Sequence, residues 1–502
     1  MNKNAERNYD LLIVGAGIYG AWLAYDASLR GLKTLIIDKG DIASGTSSAS
    51  SKLIHGGLRY LEQFDFSLVK KSVKERQRLL KIAPHRVKPL KFGIPVYKGG
   101  RISSWKYKIG LTIYDWFAKV KNKDFKHESF SAEQFSKKFP ILKKHLLKNG
   151  YTYQDANTDD FRYTLEIIDG AVKNGAELKT YSELIKYESN QALIKNVFSN
   201  QEITINFKVA INATGQWTDE LFNTNYCRLS KGIHIVVPDV KLKDALLLLS
   251  PIDQRVFFVI PWYGKTMIGT TDTDFTGKLD SIKANKDDIN YLIESFNYYS
   301  KELITENDVI SSFAGLRVLK NTKGHPSSVS RDWEWKELQE NVYISLGGKL
   351  TSSREDCSEL INVICKKLKY EAKCTTHEKM FPWTPSSFDS WKHKTRLEAK
   401  KLNLNEFEIN NLISRHGKRT TQILDLIRND KKLSDKVLEN VEFTKAELHF
   451  IVANEYVTCF QDLIRRRFPL TLITKLNQDQ LKELRGLANK TLKDLGKEKL
   501  AD

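Results

Sequence analysis

Cysteine is scarce in this chain and scattered: five residues in 502, at Cys227, Cys357, Cys365, Cys374 and Cys459, with no CxxC pair. That excludes a disulfide-stapled scaffold and a structural zinc site, and it predicts reduced thiols in a cytosolic protein. Long apolar runs are also missing. With no stretch of ~18 such residues, no segment is expected to span a bilayer. The opening MNKNAERNYD lacks an apolar h-region, so neither a secretory signal nor a transit peptide is expected. No D-x-D-x-D-G loop occurs, which argues against calcium-binding hands and leaves no metal site to expect. Nor is there an RNP1 motif or zinc-finger spacing, so nucleic acid is not an expected partner. Acidic residues are in deficit, 61 against 80 Lys plus Arg, for a net charge of +19.

What is present describes a globular chain of two or three domains, 41% hydrophobic and 28% charged. The positive excess is uneven. Between Lys81 and Gly150 there are 17 basic and 4 acidic residues, a local surplus of 13. Such density attracts an anionic surface or ligand.

The first specific signal spans Tyr9 to Asp38. An apolar strand, Asp10–Val14, runs into Gly15-Ala-Gly17-Ile-Tyr-Gly20 and a helix to Arg30, closed by Gly31. A second strand, Lys33–Ile37, ends at Asp38. Gly15 permits the tight turn, Gly17 lets the backbone approach a pyrophosphate, and Gly20 lets the helix pack close to the strand. The helix N-terminus offers unpaired N–H groups and a positive dipole end to the phosphates. Asp38 follows Gly15 by 23 residues, where a carboxylate reaches ribose hydroxyls.

Later segments distinguish FAD from NAD. A Ser/Thr-rich loop at Thr46, Ser47 and Ser50 leads through Lys52, Leu53 and His55 to a turn at Gly57. Val209–Gly215 is a strand ending in an ATG turn. Val342–Leu346 is a strand ending in Gly347-Gly348-Lys349-Leu350-Thr351, with a helix beginning near Ser352. That places amides where negative charge would develop on a reduced ring. Separated segments converging on one cofactor are an FAD arrangement, since nicotinamide domains are usually contiguous.

With these residues in view, the chain resembles the FAD-dependent, quinone-reducing glycerol-3-phosphate dehydrogenases of the D-amino-acid-oxidase-like group. The likeness is carried by TSSASSKLIHGGLRYLE (Thr46–Glu62), INATGQWTD (Ile211–Asp219), KGIHIVVP (Lys231–Pro238), the run Val256–Asp274, AGLRVL (Ala314–Leu319), SRD (Ser330–Asp332) and LGGKLTSSR (Leu346–Arg354). It fades after about Tyr370, where only Ala446–Arg467 still resembles the family's C-terminal helical domain. Asp38 stands where many members have Glu, and Lys373–Pro385 lacks a glycine-rich turn common in the family. The resemblance implies a bacterial-type dehydrogenase, since the chain leaves no room for the oxidase branch's insertion.

The resemblance further implies that Arg59, Tyr60, Arg317 and Arg331 line the pocket of sn-glycerol 3-phosphate, with Lys349 near flavin and substrate. Arginine suits phosphate because its planar fork meets two oxygens at once. Arg317, in the apolar run Phe313–Leu319, needs a partner; a buried ion pair is the alternative to a ligand. His234 is the expected base, since an imidazole titrates near neutrality, with His55 the competitor. Arg317 and Lys349 complete the expected catalytic set. The implied acceptor is a membrane quinone. Trp105, Ile109, Ile113 and Trp116 form one stripe of a lysine-rich helix, suited to the headgroup layer of an anionic inner leaflet unless it packs into the protein. A homodimer is left open.

The expected fold is α/β: a Rossmann-type FAD domain (1–85, 152–225, 310–370) interleaved with an antiparallel-sheet substrate domain (86–151, 226–309), then a helical domain (386–502). The rival reading is an amino-acid oxidase of the same fold, which would need one arginine where this chain offers three.

Overall fold

The computed structural model describes residues 8–119, 125–321 and 332–501. Two sheets organise it. In the first, parallel strands run in the spatial order Val342–Leu346, Glu202–Asn212, Asn8–Val14, Thr34–Ile37, Glu177–Lys179. Glu334–Gln339 adds an antiparallel edge, and the hairpin Ser182–Glu188/Gln191–Asn196 extends Glu202–Asn212. Their near-continuous apolar runs are what a sheet covered on both faces requires. The helix Ile18–Leu29 lies on the sheet, buried over most of its surface. A Cβ at Gly20 would fall 1.8 Å from the Gly15 carbonyl oxygen, so only glycine allows this approach.

The second sheet has ten strands. Its spine runs Thr273–Asp274, Cys227–Pro238, Lys265–Gly269, Val256–Trp262, Ala245–Leu249, Lys88–Tyr97, Leu147–Asn157, Leu53–Ile54. Ser311–Lys320 pairs with Cys227–Pro238 along ten residues. The pairing is antiparallel except between Ala245–Leu249 and Lys88–Tyr97.

The strand pairings run across the domain limits expected from sequence. The cuts at 152 and 310 assign most of Leu147–Asn157 and all of Ser311–Lys320 to the nucleotide domain, yet both strands hydrogen-bond within the second sheet. Alternation marks a strand without naming its partner.

The C-terminal segments from Val437 to Leu500 share a core with the second sheet, where Leu448, Ile451, Phe468 and Leu484 pack with Val236, Ile260 and Met267, while the helices Phe388–Lys401, Glu406–His416 and Thr420–Asn429 form a core of their own. A buried ion network ties the C-terminal domain to the nucleotide domain. Arg162, on the helix Asp160–Lys173, donates to both oxygens of Glu455 at 2.7 and 2.8 Å, and Arg419 donates to Glu455 as well. Among the described residues no helix is long and apolar enough to cross a membrane, and no cluster of His, Cys, Asp and Glu could hold a metal ion.

Candidate active site

A cavity of about 1280 Å³ runs between the two sheets, from Asp38 and Gly15 at one end to Arg317 and His234 at the other. Its nucleotide end follows from the first βαβ unit. Gly15 has φ +109°, and a Cβ there would lie 2.6 Å from the Ala213 carbonyl oxygen. Gly17 caps the helix Ile18–Leu29, whose first turn carries no acidic side chain. Asp38 accepts hydrogen bonds from the Ala16 and Gly40 amides at 2.7 and 2.8 Å. Burial raises its pKa, and those amides oppose the rise. Gly215, Gly57, Gly347 and Gly348 all have positive φ and line the wall. A Cβ at Gly348 would sit 1.8 Å from the Tyr19 hydroxyl. Bare backbone along the whole length, a helix N-terminus and a terminal carboxylate fit a dinucleotide cofactor.

The hydroxyl loop does more structural work than its composition suggests. Ser47 Oγ accepts from Ile18 N at 2.9 Å, Thr46 Oγ1 donates to the Leu316 carbonyl at 2.6 Å, and Ser50 Oγ donates to Asp160 at 2.7 Å. All three still line the cavity, as do Leu53, His55, Leu350 and Thr351. Lys52 does not. Its ammonium is buried against Asp160 at 2.6 Å and lies over the Trp262 and Phe313 rings, so it braces the wall from behind. His55 and Thr351 are linked backbone to side chain, His55 N donating to Thr351 Oγ1 at 3.1 Å. Of the amides after Leu346, that of Lys349 donates to the Tyr19 hydroxyl at 3.0 Å.

At the far end two strands bring Arg317 and His234 together. The register Ser230↔Arg317 and His234↔Phe313 sets Arg317 and His234 along one face of the pair. Arg317 donates to Thr270 Oγ1 at 2.8 Å, the Thr271 carbonyl at 3.1 Å and Asp272 at 3.3 Å. It therefore has an acid partner and also opens on the cavity. His234 is buried, stacked 4.9 Å from the Phe313 ring, with Nε2 2.9 Å from Ser51 Oγ. Among the described residues its buried Nδ1 finds no hydrogen-bond partner. Burial, then the Arg317 and Lys52 cations, hold the imidazole pKa well below its ordinary value. At neutral pH the ring is a neutral base. Lys349 Nζ and the Arg59 guanidinium both lie over the Tyr60 ring, at 4.3 and 4.9 Å, which gathers the remaining site residues. Arg331 lies outside the described residues.

Two glycines that sequence reading passed over make this packing feasible. A Cβ at Gly232 would lie 2.4 Å from the Arg317 guanidinium, and one at Gly269 would lie 2.2 Å from the His234 ring. A glycine inside a strand signals such a close approach, and KGIH and MIG both carried that signal.

Comparison with known proteins agrees with this geometry. The family model described as FAD dependent oxidoreductase matches residues 10–350, and that of the C-terminal domain of alpha-glycerophosphate oxidase matches residues 383–494. The second match reaches well beyond the Ala446–Arg467 segment recognised from sequence. A glycerol-3-phosphate dehydrogenase of Synechocystis is 35% identical over 93% of this chain and 89% of its own length. The aerobic glycerol-3-phosphate dehydrogenase of Bacillus subtilis is 39% identical over 73% of this chain and 69% of its own. Among solved structures, the glycerol-3-phosphate dehydrogenase of Bacillus halodurans complexed with FAD superimposes with a TM-score of 0.79 at 27% identity, covering 98% of this chain and 92% of that one. A glycine oxidase of Geobacillus kaustophilus shares the fold alone, at TM-score 0.55 and 16% identity. The chain belongs to the FAD-dependent oxidoreductases and, within them, to the glycerol-3-phosphate dehydrogenase family.

Proposed function

We propose that this enzyme oxidises sn-glycerol 3-phosphate to dihydroxyacetone phosphate and passes the electrons to a quinone at an anionic membrane surface. The observation that carries the reading is the convergence of a neutral buried imidazole, His234, and a guanidinium, Arg317, on a cavity whose other end has the form of a dinucleotide site. FAD, when bound, supplies the hydride acceptor. The rest is the work of side chains. His234 Nε2, the ring nitrogen beside Ser51, takes the C2 hydroxyl proton. Arg317 stabilises the developing alkoxide and, with Arg59 and Arg331, holds the phosphate. Tyr60 stacks beneath Arg59 and Lys349 and fixes both cations.

The membrane side of the proposal is supported by the helix Ser104–Phe117. Trp105, Ile109 and Trp116 are 62, 52 and 73% exposed, Ile113 is half-buried, and the opposite face packs through Leu111 and Tyr114. Phe64, 78% exposed, lies 6.2 Å from Phe66, which lies 6.3 Å from Phe117, ring to ring, so the apolar face extends beyond the helix. Exposed Lys106, Lys108 and Lys119 interleave with it. This is the pattern of an interfacial helix on an anionic leaflet.

One anaerobic experiment tests both parts. Glycerol 3-phosphate should bleach the flavin band, and quinone carried in anionic vesicles should restore it faster than the same quinone in zwitterionic vesicles, with the difference lost at high salt. Bleaching by an amino acid instead would replace the substrate reading; equal rates with both vesicles would remove the electrostatic docking.

The glycine beneath Arg317 offers a sharper test of that residue. Gly232→Ala should displace the guanidinium and raise KM for glycerol 3-phosphate by roughly 10- to 100-fold, the worth of a charge-assisted contact, while FAD affinity stays unchanged. An unaltered KM would show that Arg317 is occupied by Asp272 alone.

A further inference from the structure

The segment Arg465-Arg466-Arg467 belongs to a five-residue π-helical turn, Leu463–Arg467, in the C-terminal domain. Turns of this width are rare and recur at functional sites. Two of the three arginines bolt the domain down. Arg466 Nε donates to Asp41 Oδ2 at 2.5 Å and its NH2 to Asp462 at 2.6 Å. Arg467 donates to Asp41 as well, and to the Glu455 and Tyr456 carbonyls at 2.7 and 3.0 Å. Asp41 is a buried carboxylate on the loop after the strand Thr34–Ile37, so the turn is pinned to the nucleotide fold.

Arg465 and Arg466 both line the cavity, but only Arg466 is taken up by carboxylates of the protein. The Arg465 guanidinium carbon is 5.7 Å from the centre of the Phe313 ring, whose own partner is His234. Among the described residues it makes no hydrogen bond and no ion pair. The Asp160 carboxylate acts on it at a distance but is held by Lys52 at 2.6 Å and Ser50 at 2.7 Å. Burial and the neighbouring Arg466 charge lower its pKa to about 10, Asp160 opposing, so the side chain remains a cation at neutral pH. A largely enclosed cation with no counter-ion is costly unless an anion arrives. Two anions of one chemistry belong in this cavity: the cofactor's pyrophosphate and the phosphate of the proposed substrate.

We propose that Arg465 is a phosphate-binding residue of this cavity, contributed by the C-terminal domain to a site otherwise built from the two sheets. The cofactor source rests on the family alone; the substrate source rests also on the function proposed above. The domain thus supplies a ligand contact as well as docking.

The test uses full-length Arg465→Gln and Arg465→Lys, titrating the apoprotein with FAD and measuring KM for glycerol 3-phosphate and inhibition by inorganic phosphate. A rise in the FAD dissociation constant of about tenfold or more for the Gln variant assigns the contact to the pyrophosphate. An unchanged FAD constant, with KM and the phosphate inhibition constant both raised about tenfold and kcat within twofold, assigns it to the substrate. Lysine keeps the charge and loses the fork, so it should show the same signature at reduced size, which covers intolerance of glutamine. If all constants stay within twofold in both variants, or only thermal stability falls, Arg465 is structural and the proposal is overturned. If the FAD arm responds while wild-type flavin is not bleached by glycerol 3-phosphate, the substrate reading fails and the contact stands.

Discussion

Replacing His234 by Gln should lower kcat/KM for glycerol 3-phosphate by roughly 10²- to 10⁴-fold, the usual worth of a positioned general base, and leave FAD affinity nearly unchanged. The pH dependence makes this a test of mechanism rather than of folding. Burial and the Arg317 and Lys52 cations hold the imidazole pKa well below its ordinary value of about 6.5. The base works in its neutral form, so kcat/KM, once corrected for the substrate phosphate's own second ionisation at ~6, should stay level down through that value and fall only at lower pH. A bound phosphate dianion adds negative charge beside the ring and raises its pKa, so the acid limb of kcat should lie at higher pH than that of kcat/KM. In the Gln variant both limbs should vanish. A loss of less than about tenfold, with the limbs intact, would transfer the role to His55, which lines the same cavity.

Glu455→Gln should produce the largest loss of stability. The native carboxylate is fully buried and shared by Arg162 and Arg419, with His416 Nδ1 3.5 Å away. Burial alone would raise its pKa, but Arg162 and Arg419 outweigh it and hold the group well below the ordinary carboxylate range. Removing one charge from such a group leaves buried cations uncompensated, at a cost of about 3–5 kcal/mol. The readout is the urea midpoint of the C-terminal domain's transition, followed by limited proteolysis, because a chain of several domains need not unfold in one step. Replacing Arg162, Arg419 and Glu455 together by Met should recover much of the loss. Wild-type stability should depend on acid in the matching direction. Glu447 and Glu166, despite burial that opposes it, are held at about 2, by Arg415 and His416 and by His85 and Arg86 respectively. Carboxylates depressed in the fold contribute fully above their unfolded pKa of about 4.5 and lose that contribution as pH falls toward 2. A midpoint unchanged by Glu455→Gln would mean that the domain is held by its apolar core alone.

Much of the cofactor end was legible because its physics is local. A glycine that must adopt positive φ, a helix that must start at a phosphate and an acid one strand later are dictated within thirty residues, and Gly15, Gly17 and Asp38 line one cavity. Glycine patterning also carried the clearance for Arg317 and His234, although the partners in each clash were not readable until the strands were paired. Lys52 shows the opposite case. Its place in a cofactor-rich loop points to a cofactor contact, and its ammonium pairs with Asp160, 108 residues away in sequence. Composition could not reveal that pairing.

The chain alone therefore determined the kind of protein this is, an FAD-binding fold, since the glycine turn, the helix start and the terminal acid act through neighbours in sequence. Only the tertiary structure decided which strands pair in the second sheet, that Trp105 and Trp116 stay in solvent, and that the C-terminal turn delivers Arg465 to the cavity. Each of these depends on which surfaces and charges meet across hundreds of residues, and a burial or an ion pair belongs to both partners at once.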